Sequence, residues 1–178
     1  MSWHTGGVAI EGDVASDPAA VTAALGFAGE FRGQTVSGDG AGSGSLHGRA
    51  VGRVGGWTFV WDPLMLMGDD PAGAFDAGIF PTVVEERLAA LSRGRRVFAF
   101  LTEGTSSTHG YAVYFGGNRT RLWLQQEGQP VMDEGPAIRE EQPFADEEDG
   151  EERVLGLLQA VTGVNFDEIF ATEFQVVE

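Results

Sequence analysis

The chain has 178 residues, enough for one domain with a real core, and carries a net charge of −16. That charge repels phosphate backbones and anionic lipid, so neither nucleic acid nor a membrane surface is an expected partner. The absence of cysteine and lysine removes disulfides, thiol chemistry, zinc thiolates, Walker-type phosphate loops, Schiff bases, Ser–Lys hydrolysis and protein-kinase chemistry. Four Trp, twelve Phe and two Tyr supply material for a packed interior, so the bulk is expected to fold despite its charge. No apolar run is long enough to span a bilayer; residues 97–101 are as long a run as any. The opening residues have neither a basic start nor an apolar stretch, and read as a mature, unexported, cytoplasmic chain.

In chain order, residues 8–11 predict a short strand, and Ser16-Asp17-Pro18 starts a helix that stops at Gly26. Residues 33–48 are glycine-rich and read as a mobile surface loop. Two strands follow, 49–54 and 57–61, joined through Gly55-Gly56, with Trp57, Phe59 and Trp61 sharing one face. A helix begins at Pro81 and ends near Arg93-Gly94. Residues 97–102, 111–115 and 121–125 predict three strands, the first apolar on both faces and the last two joined by a tight Gly116-Gly117-Asn118 turn. Helices over 151–161 and 165–170 close the chain, the second opened by Asn165 and Glu168, with a terminal strand over 174–177. The expected fold is a single α+β domain: an antiparallel sheet of about five to six strands with helices packed against it.

The charge is lopsided. Residues 127–178 hold fifteen Asp or Glu against two Arg, which is −13 of the −16, and residues 133–152 form the acidic segment proper. Such a field attracts basic surfaces, and the expected partner is a basic protein. The expected contact residues are Glu140, Glu141, Asp146, Glu147, Glu148 and Asp149. The bland alternative is a solvated loop whose carboxylates favour the following helix N-terminus. A calcium loop fails on spacing: aligning Gly150 with the invariant glycine puts Ala145 at the first ligand position and Gly156 at the last. No histidine pair has helical metal spacing, so a histidine-rich metal site is not expected; an irregular divalent site among the acids is the minor alternative, and the leading reading carries no metal and no cofactor.

Other constellations carry less. Gly38–Gly42 and the residues after it fail GxGxxG in every register. His109 follows Ser106 and Ser107, a conceivable Ser–His pair oriented by Glu103 or Asp133, though no GxSxG frames either serine and turn chemistry explains them. Arg93, Arg95 and Arg96 suit a helix C-terminus or an anion clamp. Arg119, Arg121 and Trp123 could form an Arg–aromatic surface. Met65, Leu66 and Met67 read as core fillers or a groove lining.

Gly56-Trp57 opening a strand, Leu91-Ser92-Arg93-Gly94 running into residues 97–101, and Arg121-Leu122-Trp123 followed by Asp133-Glu134-Gly135 and Glu140-Glu141 carry a resemblance over about two thirds of the chain. The layout resembles small bacterial α+β domains, some of them suspected immunity or antitoxin proteins. The resemblance implies a binding role and brings no catalytic residues with it. The leading reading is thus a non-enzymatic, immunity- or inhibitor-like interaction domain. A second is a small-molecule hydrolase or binding protein with a pocket formed by Trp57, Trp61, Arg95 and His109, His109 acting as general base. A third is a structural homo-oligomer that self-pairs through an aromatic hairpin.

Overall fold

A computed structural model describes residues 4–43, 45–67 and 78–178. The opening tripeptide, which enters the export reading, and Gly44 of the glycine-rich run lie outside them. One antiparallel sheet organises the chain. Its strands are β1 (His4–Glu11), β2 (Phe31–Ser37), β3 (Arg49–Val54), β4 (Trp57–Asp62), β5 (Val97–Glu103), β6 (Thr108–Phe115), β7 (Asn118–Gln126), β8 (Gln129–Glu134) and β9 (Glu173–Val177). Their order in space is β2-β9-β3-β4-β1-β5-β6-β7-β8. The α+β class holds, but the sheet has nine strands rather than five to six.

Both edge strands, β2 and β8, escape the hydrophobic pattern. Each has one neighbour and mostly exposed side chains, so no period-two alternation marks it. The aromatic hairpins lie inside the sheet, β3 against β9 and β7 against β8, so neither offers the self-pairing edge that the third reading requires.

Burial on both faces follows from where the helices sit. One face, including Val8, Ile10, Val60 and Leu101, packs on helix α1 (Pro18–Ala24) and helix α3 (Thr82–Leu91) through Val21, Leu25, Val84 and Leu88. Leu66 is fully buried here and Met65 and Met67 pack against it, so this trio is core. The opposite face receives α4 (Gly150–Thr162) and α5 (Phe166–Ala171). Across it runs an aromatic ladder: Trp61 meets Phe100 edge-on at 5.4 Å, Phe98 stacks between Phe100 and Tyr111, and Tyr111 stacks on Trp123 at 5.4 Å. Each such pair adds about 0.5–1.5 kcal/mol beyond area burial. Trp57, Phe59 and Trp61 are therefore core residues.

The glycine-rich segment is a second correction. In place of a loop across 33–48, residues up to Ser37 complete β2 and Gly38–Gly42 form the short helix α2. The Ser37 side chain accepts a hydrogen bond from the Gly40 N–H at 3.2 Å and caps that helix. A Cβ on Gly38 would lie 1.9 Å from the Ile169 carbonyl oxygen. Glycine here permits close contact between α2 and α5. Among the described residues, no helix is long and apolar enough to cross a membrane.

Candidate functional site

The acidic segment is built from the β7–β8 hairpin, a 3₁₀ helix (Arg139–Phe144), the loop after it and the first turn of α4. At its base lies Arg121, whose side chain is 3% exposed. Its guanidinium donates to both oxygens of Glu141, at 2.7 and 2.9 Å, in a bidentate pair. The remaining N–H groups reach the Asp133 carboxylate and the carbonyls of Glu134 and Gly135. Glu141 raises the Arg121 pKa further above its already high value. The same carboxylate accepts from the Ile138 N–H at 3.2 Å, tying down the start of the 3₁₀ helix.

Arg153 of α4 completes the cluster. Its guanidinium carbon lies 4.5 Å from the centroid of the Trp123 ring, and a terminal nitrogen is 3.6 Å from Glu141. The Arg–aromatic contact at the hairpin is thus made from α4. Arg121 and Trp123 are buried and Arg119 is half-buried, bound to Glu85 and Glu134, so these three do not form the expected exposed surface. Burial, with the nearby Glu141 charge, pushes the Tyr111 hydroxyl up to about 12.

The six expected contact acids divide. Glu141 is buried and consumed by Arg121, which removes it from any presented surface. Glu140 is bound bidentately by Arg96, at 2.5 and 3.2 Å, and that contact lowers its pKa. Asp146, Glu147, Glu148 and Asp149 are exposed. Asp149 also works locally, accepting from the N–H groups of Glu151 and Glu152 at 2.9 and 3.2 Å as the N-cap of α4. Between this loop and the hairpin lies a groove of about 450 Å³, floored by Trp123 and Arg153 and rimmed by Glu147, Glu148 and Gln129. Twelve of the fifteen acids after residue 126 are exposed, whereas Arg153 is turned inward.

The alternative pocket does not assemble. Trp57 pairs with Glu11 at one end of the sheet and His109 with Thr102 at the other, about 20 Å apart at 3.3 Å per residue. Trp61 is fully buried, and Arg95 donates to the Asp13 carbonyl at 3.1 Å. The basic cluster likewise makes no clamp: Arg96 turns to Glu140, Arg95 to Asp13, and Arg93 is exposed.

His109 is buried against α4, its Nδ1 2.8 Å from the Thr102 hydroxyl. Burial lowers its pKa, outweighing the opposing pull of Glu151 and Asp149. Ser106 donates to Thr108 at 2.9 Å, and Glu103 accepts from His4 and from the Thr105 and Ser106 backbones. Among the described residues, no Ser–His couple is formed. Among the described residues, no group of three or more His, Asp or Glu is arranged to hold a metal ion.

The residues missed from sequence are Arg121, Arg153 and Trp123 as one buried cluster. Their signal is weak, because a lone Arg within an apolar strand carries no spacing rule. No protein-family model matches the chain, and no curated protein or solved structure is significantly similar to it.

Proposed function

We propose that this chain is a non-enzymatic interaction domain of the cytoplasm that presents its acidic loop to a basic protein partner, as an immunity or inhibitor protein would. One observation carries the reading. Asp146, Glu147 and Glu148 stand exposed together while Glu141, Asp133 and Trp123 engage the cations beneath them. Charge presented in this way steers encounter with a basic surface and is screened by salt. The Arg121–Glu141 pair before the loop and the Asp149 cap of α4 after it anchor both ends of the loop, which favours binding by reducing what must be ordered.

The test uses the intact protein and its Asp146→Asn/Glu147→Gln/Glu148→Gln variant as baits in native lysate, at low and at high salt. The native bait is expected to retain a basic protein at low salt that both the variant and high salt lose. Equal retention by both baits would end the reading.

A further inference from the structure

The outer side of α4 carries a second feature that solubility does not explain. A groove of about 620 Å³ opens between the 3₁₀ helix, α4 and α5. Part of its lining is a set of apolar side chains. Phe144 comes from the 3₁₀ helix, Leu155 from α4, and Phe166 and Phe170 from α5, the last two stacked at 5.4 Å. All three Phe rings are half-buried, so each is still partly open to water.

The groove is built by local sequence choices. The inner stripe of α4, with Val154, Leu157, Leu158 and Val161, already faces the sheet. Leu155 widens that apolar arc toward the outside. At Gly156 a Cβ would lie 2.4 Å from the Phe144 ring, so glycine lets the ring seat against the helix. The Gln159 side chain accepts from the Phe166 N–H at 3.2 Å and fastens the start of α5 to α4. Along α4 the lining residues 152, 155, 156 and 159 fall at i, i+3, i+4 and i+7, a stretch of two turns, about 11 Å.

The rim is acidic. Among the described residues, Glu147 and Glu152 line the groove and no basic residue does, and Asp167 and Glu168 are exposed on the first turn of α5. An apolar trough two turns long with carboxylates at its margins complements one shape of ligand. A helix with apolar residues at i, i+3 or i+4 and i+7 fills the trough, and lysine or arginine on its flanks meets the carboxylates.

We infer that this groove is the docking site for a basic amphipathic helix of a protein partner. The inference rests on the acidic-surface reading and adds to it a helix-shaped, partly apolar contact. The loop would supply encounter and the phenylalanines would supply residence, since rim charges act mainly on association and buried contacts on dissociation.

The experiment titrates the intact protein with a labelled leucine–lysine peptide of about 14 residues, roughly four turns, patterned for one apolar face. A scrambled peptide of the same composition and a leucine–glutamate peptide of the same pattern are compared by fluorescence anisotropy. The patterned basic peptide is expected to bind at least about tenfold more tightly than either. Phe170→Ala is expected to weaken it by about tenfold or more, and Glu152→Gln by a few-fold that vanishes at high salt. Amide shift mapping on the unaltered protein is expected to confine the changes to residues 144–170, which covers the case of a Phe170→Ala chain that does not fold.

Equal binding of patterned and scrambled peptides, lost in the loop variant but not in Phe170→Ala, would overturn the groove and leave the acidic-surface reading standing. No binding of any peptide, or tighter binding of the acidic one, would overturn the groove, with the lysate experiment deciding the broader reading separately. Self-association through residues 144–170 without peptide would also overturn it, because a second copy would then be the occupant.

Discussion

Glu140 and Glu141 on one side, and Asp146 to Glu148 on the other, belong to the same run of acids and do opposite things. The first pair is withdrawn: Arg96 and Arg121 bind them bidentately, and Glu141 is almost completely buried. Among the described residues, the second group has no arginine partner, and it faces water. The difference is one of reach. β5 begins beside the 3₁₀ helix and brings Arg96 to Glu140, and the β7 register turns Arg121 inward under Glu141, whereas the loop after Phe144 has passed beyond both. A charge run is therefore part foundation and part display.

The sharpest way to break this comparison is to empty the foundation. Arg121→Leu leaves Glu141 buried with only the longer contact to Arg153, at 3.6 Å, and is expected to cost about 3 kcal/mol in urea unfolding. Adding Glu141→Leu is expected to recover much of the loss, because both charges then leave the interior together. If the double variant is no better than the single, Arg121 does not neutralise Glu141 in the folded protein.

Asp149 stands between the two roles, exposed yet capping α4. Asp149→Ala is expected to cost about 1 kcal/mol, read as a lower unfolding midpoint at unchanged slope. No loss would mean that its side chain belongs wholly to the displayed group.

Glu103 extends the comparison to a carboxylate on the sheet itself, at the end of β5 that lies nearest the acidic loop. Its contact with His4, helped by the Thr105 backbone, holds its pKa at about 2 instead of 4.5. A depressed folded value means that its contribution is fully present above about pH 4.5 and is lost as pH falls toward 2. Glu103→Gln is expected to flatten the acid limb of the stability profile in that window, and an unchanged limb would argue against the contact.

The smallest expected effect belongs to the displayed acids. The Asp146→Asn/Glu147→Gln/Glu148→Gln variant is expected to keep its stability within about 0.5 kcal/mol of the parent while its association with basic protein is lost. A large change in unfolding free energy would show that these side chains are structural after all.

Much of the fold was legible because it rests on short-range rules. Asp17 before Pro18, Asn165 three residues before Glu168, and Gly55-Gly56 between two apolar strands each have local causes, and the structure places a helix cap or a turn at each. The doubly apolar run at β5 correctly implied a strand covered on both faces. β2 and β8 were not legible, since an exposed edge strand is held by ladder bonds to one neighbour and leaves no burial pattern. Gly38 misled because a glycine required for helix–helix approach looks the same as one that supplies freedom. The proposed pocket failed because Trp57 and His109 are separated by the length of a strand, a distance that sequence spacing does not carry.

Composition and local pattern determined that this chain folds as α+β, where most of its elements begin and end, and that its negative charge lies toward residue 178. Only the tertiary structure decided which of those charges are buried with arginine and which remain at the surface. That choice depends on strand register and helix packing, which bring Arg96, Arg121 and Arg153 to their partners from three separate elements.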